Sequence, residues 1–219
     1  MDEYKISINL ESNCLLGSGE GWGSVVDTDI VFDSIGLPYF PARRLKGCIK
    51  ESAEEVLEIM NFAGVSRFGN GIIRDIFGSP GDSNGANVIF NNLHLSNYKE
   101  VALWCSWALQ ELKGAVSNEV IVNSFTNIRQ QISIDKKGIA EDKSLRTLRV
   151  LKSGLKFEGI VTIRKDTQDV IDLLAFSCAN LRYVGTMRNR GFGKVKCTFE
   201  KENDNLLKIC IEQLEKEVM

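Results

Sequence analysis

The chain has 219 residues, 43% of them hydrophobic and 26% charged, with three prolines and a formal net charge of −2. That length and apolar content support a substantial buried core without disulfides or metals and exclude a disordered or low-complexity chain. With no apolar run near the ~20 residues that span a bilayer, an acidic strand-like start instead of a secretory signal, and six cysteines without C-x-x-C spacing, a cytoplasmic protein with reduced thiols and no membrane partner is expected.

Residues 4–14 alternate polar and apolar and predict a first strand. Gly17, Gly19, Gly21 and Gly23 follow, and then the extended stretch "VVDTDIVFD" carrying Asp27 and Asp29. A dinucleotide-binding fingerprint needs a helix directly after its glycines. The extended stretch excludes it and leaves a glycine loop that delivers the two aspartates. "LPYFPARRLKG" (37–47) then opens a helix over 42–62, with Leu45, Cys48, Ile49, Val56, Leu57 and Met60 on one stripe. Arg43, Arg44 and Lys46 sit in or beside its first turn with Gly47, where the helix dipole favours acids. Cations placed there call for an anion shared with the free amide groups.

Residues 87–96 predict a second strand, which carries the only histidine, His94, and 100–113 a short helix bearing Trp104 and Trp107. The segment 126–150 is polar, basic and weakly periodic. A third strand is expected over 154–165, followed by a helix capped at Thr167 and stopped at Gly185. Next comes "TMRNRGFGK", where Gly191 and Gly193 lie among Arg188, Arg190 and Lys194. Successive amides in such a loop form an anion-binding concavity. A strand over 193–200 and an amphipathic helix over 204–217 complete the order strand, helix, strand, strand, helix, strand. That order predicts an α+β, ferredoxin-like (RRM-like) βαββαβ core with a C-terminal helix. Arg190–Val195 overlaps an RNA-recognition signature, but Lys194 and Cys197 replace its later aromatics, so base stacking on that strand is not expected.

Charge is sorted by segment. Residues 182–198 hold five cations and no acid, whereas 51–60 hold four glutamates and no cation. The small net charge therefore conceals basic surfaces suited to a polyanion.

"GLPYFPARRLKG", "FGSPGD" (77–82), "GLKFEG" (154–159) and "RNRGFGK", in this order, resemble the RAMP superfamily of CRISPR-associated proteins, most closely the repeated backbone subunit of type III effector complexes. The resemblance implies one domain over 1–219, with a glycine-rich active-site loop about 17–36 and a thumb-like insertion about 115–153. It implies guide CRISPR RNA, complementary target RNA, copies of the same chain and other effector subunits as partners. Arg129, Arg146 and Arg149 become backbone contacts on the thumb. Asp27 takes the position of the aspartate that cleaves target RNA with a divalent ion, Mg2+ or Mn2+, and Asp29 is a second candidate. Ala42-Arg43-Arg44 stands where that family usually has Gly-Ser-Ser, which replaces hydroxyl contacts to the guide with charged ones. Two other readings stay open: a guide-processing endoribonuclease that uses His94 as acid or base, and an RRM-like RNA-binding module without catalysis.

Overall fold

The structure is a computed structural model that describes residues 1–17, 27–65, 67–79, 81, 85–141, 144–202 and 204–218. Gly19, Gly21 and Gly23, and parts of the 77–82 motif, lie outside the described residues. Strand β1 (Asp2–Leu10) runs through the middle of the main sheet. Its Tyr4, Ile6, Ile8 and Leu10 are buried while Glu3 and Asn9 face outward, the period-2 pattern of a strand packed on one face.

Helix α1 (Ala42–Phe62) buries Leu45, Ile49, Ala53 and Val56 along one stripe. Helix α2 (Ile72–Phe77), strands β2 (Val88–Phe90) and β3 (His94–Leu95), and helix α3 (Tyr98–Glu111) follow. Helix α4 (Asn118–Phe125) leads into a separate antiparallel hairpin, β4 (Thr126–Gln131) with β5 (Arg146–Leu151). The chain then returns to the main sheet through β6 (Lys156–Ile163), α5 (Gln168–Asn180), β7 (Val195–Lys201), β8 (Asp204–Asn205) and α6 (Leu206–Val218). The sheet order is β2-β6-β1-β7-β8, with β3 also on β6 and every pairing antiparallel. With α1 packed against α5, this is the predicted ferredoxin-like arrangement, and the hairpin is an insertion between its second and third core strands.

Three departures from the sequence reading position the site. The strand expected over 87–96 is broken, because Leu93 leaves β6 to exchange backbone hydrogen bonds with Phe40, 2.8 and 2.9 Å. Gly159 of β6 permits this crossing: a Cβ there would meet Leu93 Cδ2 at 2.7 Å and the Asn92 carbonyl at 2.8 Å. The crossing holds the segment that launches α1. Helix α5 ends at Asn180 instead of Gly185, because residues 182–184 pair with 193–195: Val184 donates to the Gly193 carbonyl (2.8 Å) and Val195 to that of Arg182 (2.9 Å). Thr167 occupies its N-cap without a side-chain capping bond. The basic stretch 126–150 conceals a regular hairpin and follows a helix the sequence did not announce. Helix α4 is only eight residues long, and Ser117 caps it by accepting from the Val120 amide.

The helical layer is pinned by a buried carboxylate. Asp172 on α5 is fully buried and accepts from Arg67, from Gln168 Nε2 (2.7 Å) and from Cys210 Sγ of α6 (2.9 Å). Burial, together with that hydrogen bond, pushes the Cys210 thiol up to about 12. The six cysteines form no disulfide. No helix among the described residues is long and apolar enough to cross a membrane.

Candidate nucleic-acid interface

Two basic segments that are about 140 residues apart in the chain meet beside α1. Arg188 opens a single 3-10 turn (Arg188–Arg190) and places Nη1 and Nη2 on Glu51 Oε2, each at 3.0 Å. That hydrogen bond raises the Arg188 pKa further, and it lays the glycine-rich loop against the third turn of the helix. Cys48 sits at the junction. Burial raises its thiol, while the nearby guanidiniums of Arg188 and Arg44 pull it back.

The mouth of α1 gathers cations but leaves few free amides, since the Arg44 amide donates to the Pro41 carbonyl at 3.0 Å. Pro41 is its N-cap and supplies no side-chain cap, and no acid occupies the first turn. Asn92 Oδ1 accepts from the Ala42 amide at 2.8 Å, so one of the free donors expected there is already used. Arg43 and Gly47 are exposed, and Arg44 and Lys46 are half-buried. Among the described residues, none of these three cations has a carboxylate within ion-pair distance.

The loop also reaches the hairpin. Arg190 Nη1 donates to Gln131 Oε1 on β4 at 3.2 Å. A cleft of about 400 Å3 opens there, walled by Arg129, Gln130 and Gln131 on one side and by Arg190, Gly191 and Phe192 on the other. Ser12 and Asn13 floor it. Gly193 donates to the Asn13 carbonyl (2.8 Å), Lys194 to Ser12 Oγ (2.9 Å), and Ser153 to Asn13 Oδ1 (3.2 Å). The two loop glycines differ in kind. Both have positive φ, but a Cβ on Gly193 would lie 1.9 Å from the Val184 carbonyl, whereas one on Gly191 would meet nothing within 4 Å. Gly193 is required by the chain's own packing; Gly191 leaves room for a ligand. Lys194 is exposed and held by Glu11 at 3.0 Å, which raises its pKa.

On the hairpin, Arg129 and Arg146 are exposed, and Arg149 turns inward. Arg149 Nε lies 3.2 Å from Asp29 Oδ1, with the two side chains 12% and 9% exposed, and its Nη1 donates to Asn123 Oδ1 at 2.8 Å. Asp29 also accepts from the Ile30 amide at 2.7 Å. These contacts engage both residues inside the protein, so the structure does not present Arg149 as the exposed hairpin cation the sequence suggested. Asp27, in contrast, is exposed. Its amide donates to the Thr147 carbonyl (2.9 Å), and its Oδ2 accepts from the Thr147 amide (2.6 Å). Thr147 pairs across the hairpin with Gln130, a wall of the cleft. Asp27 therefore stands two strand spacings, roughly 10 Å, from that cleft.

His94 lies elsewhere. It packs on Tyr98 (4.7 Å between ring centroids) and Tyr39 (6.0 Å). It lines a cleft of about 640 Å3 on the face of β1, β6 and β7, together with Glu3, Glu100, Glu158, Glu200 and Glu202. Sequence reasoning missed Ser12, Asn13, Gln131 and Asn92. They are ordinary polar residues that acquire a role only through pairings across 50 or more positions.

The fold has relatives among solved structures. A chain of a type III-B Cmr-beta assembly in its apo state, determined by cryo-electron microscopy, superposes with a TM-score of 0.65 at 15% identity, over 91% of this chain and 98% of that one. A chain of the Cmr-beta assembly bound to cognate target RNA gives 0.64 at 14% identity, over 91% and 97%. No curated protein sequence matches. The model of the RAMP superfamily matches residues 16–196, a span that takes in the mouth of α1, the inserted hairpin and the glycine-rich loop just described. Fold, motif order and sequence profile agree, and the chain belongs to the RAMP superfamily.

Proposed function

We propose that this chain is a guide-RNA-binding backbone subunit of a type III CRISPR ribonucleoprotein effector in antiviral defence, and that it cleaves complementary target RNA through Asp27. The observation that carries the reading is the cationic track. It starts at Arg43, Arg44 and Lys46, continues through Arg188 and Arg190 of the glycine-rich loop, and ends at Arg129 and Arg146 of the hairpin. Such a track follows a nucleic-acid backbone and neutralises its phosphates, while the hairpin's exposed Ile128, Ile132 and Ile134 offer apolar surface to bases. Membership of the superfamily and the likeness to Cmr-beta chains support the assignment to this class of assembly. Copies of the same chain and other effector subunits are its proposed protein partners.

Mg2+ or Mn2+ fits Asp27. Such ions are commonly held by one or two carboxylates together with substrate phosphates and water. Asp27 Oδ2 is tied to Thr147, Oδ1 accepts from no described residue, and the described residues hold no group of three or more metal-ligating side chains. When bound, the ion supplies Lewis-acid stabilisation of charge on the scissile phosphate. The chain's own work is to fix the carboxylate through its two hydrogen bonds to Thr147 of β5 and to hold the RNA along the track. Asp29, buried on Arg149, is the weaker candidate. The His94 alternative is the weaker reading, because His94 packs between Tyr39 and Tyr98 in a cleft apart from the cations of the track.

The test uses the ribonucleoprotein purified through a tag on this chain, incubated with complementary RNA and Mg2+. Asp27→Asn lowers cleavage by about 100-fold or more, as expected for loss of a group that acts on the transition state, and retains guide RNA. Unchanged cleavage in this variant removes Asp27 from the mechanism.

A further inference from the structure

We infer that the outer edge of the hairpin is the scaffold that places Asp27, and that Arg149 and Asp29 are positioning residues for cleavage. This rests on the reading of Asp27 as the cleaving carboxylate.

Residues 27–29 lie along the free edge of β5, joined to it by one parallel bridge. Asp27 exchanges two hydrogen bonds with Thr147 (2.9 and 2.6 Å), Thr28 bridges Leu148 in parallel, and the Arg149 amide donates to the Thr28 carbonyl at 3.1 Å. The Asp29–Arg149 ion pair reinforces this edge, and because both side chains are nearly buried, salt screens it little. Asn123 of α4 holds the other arm of the guanidinium. Helix, hairpin and aspartate segment are thereby one block.

Two consequences follow from the geometry. The Thr147 amide fixes Oδ2 of Asp27, so the direction of Oδ1 is set by the backbone of β5. The opposite strand, β4, carries the cleft wall of Arg129, Gln130 and Gln131, so the hairpin meets RNA along one edge and presents the carboxylate along the other. Any deflection of the hairpin by bound RNA carries Asp27 with it. Loosening the block misplaces the carboxylate without removing it. Displacements of the order of 1 Å at a reacting centre cost about 100-fold in rate.

Arg149→Gln in the purified ribonucleoprotein tests this. The expected result is a kcat for target cleavage lowered roughly 10- to 100-fold, with KM and guide retention within about twofold of wild type. Arg149→Lys, which keeps the charge against Asp29, is expected to restore most of the rate. An unchanged kcat overturns the inference. So does loss of guide RNA matching that of Arg129→Ala, which would make Arg149 an RNA-binding residue. A second measurement does not depend on cleavage: amide hydrogen exchange of residues 27–31 with and without complementary RNA. RNA is expected to slow exchange there in the wild type and to have no such effect in Arg149→Gln. If the wild-type complex cleaves nothing, or Asp27→Asn cleaves as wild type does, the catalytic reading fails by itself. The exchange comparison still decides the scaffold, because RNA-linked protection that survives Arg149→Gln overturns it.

Discussion

The open face of the main sheet and the hairpin side of the molecule both carry charged residues but use them differently. On the sheet, Glu158 accepts from Lys5 (3.0 Å) and Lys156 (2.5 Å), so cations and acids neutralise one another within a single face. On the hairpin side, Arg188 and Lys194 are matched by Glu51 and Glu11. Arg129 and Arg146, like the cations at the mouth of α1, have no carboxylate partner among the described residues. The larger cleft, about 640 Å3, belongs to the acidic sheet face, and the smaller, about 400 Å3, to the cationic track. Under the proposed function, uncompensated charge and not cavity size marks the RNA surface.

The most severe test of that contrast reverses charge on each side. Arg129→Glu with Arg190→Glu should weaken guide RNA binding by about 100-fold at physiological salt. It should also flatten the dependence of log K on log salt by roughly 0.7 for each phosphate that is no longer neutralised. Lys5→Glu on the sheet should leave affinity within about twofold. Filter binding at two or more salt concentrations measures both. Equal losses from the two sides would erase the distinction.

The sequence exposed the two regions unequally. The core was legible because its signals are local: period-2 alternation in β1 and β6 and the apolar stripe of α1 each specify one buried face. The cations of the track were also legible, since clusters such as Arg43-Arg44 and Arg188/Arg190 stand out in an acidic chain. What they would touch was not. Arg146 and Arg149, three residues apart on β5, point to opposite faces of the strand, but nothing local says that the face of Arg149 is the one buried against Asp29. The difference arises because residues 27–29 cover one edge of β5, a pairing across about 120 positions. Gly193 shows the same limit. Its spacing from Gly191 suggests a phosphate cradle, but the atom it must avoid is the carbonyl of Val184.

Gly47 offers a finer measure of where the track runs. It lies inside α1 on an exposed position, and a Cβ there would meet nothing within 4 Å. Glycine in a helix interior costs about 0.5–1 kcal/mol relative to alanine. Gly47→Ala should therefore stabilise the free protein by that amount in denaturant unfolding. If RNA passes close to this turn, the added methyl should weaken guide binding by roughly 3- to 10-fold, since glycine is favoured where a backbone meets a ligand closely. A variant that gains stability and binds guide RNA as well as the wild type would move the track away from the mouth of α1.

The smallest effect belongs to the sheet face. Burial would raise the Glu158 carboxyl, but hydrogen bonds from Lys156 and Lys5 outweigh it and hold the group below its ordinary value. A folded-state pKa lowered in this way contributes stability above the ordinary carboxylate range and loses it as pH falls through the depressed value. Glu158→Gln should thus cost under about 1 kcal/mol at neutral pH, because the cluster is partly solvated. The gap to the wild type should then close on acidification below the ordinary carboxylate value, as followed by urea titrations across that range. Guide affinity should not change. A loss of affinity in Glu158→Gln would show that the sheet's paired charges act on RNA at a distance, and the separation of the two regions by compensation would no longer hold.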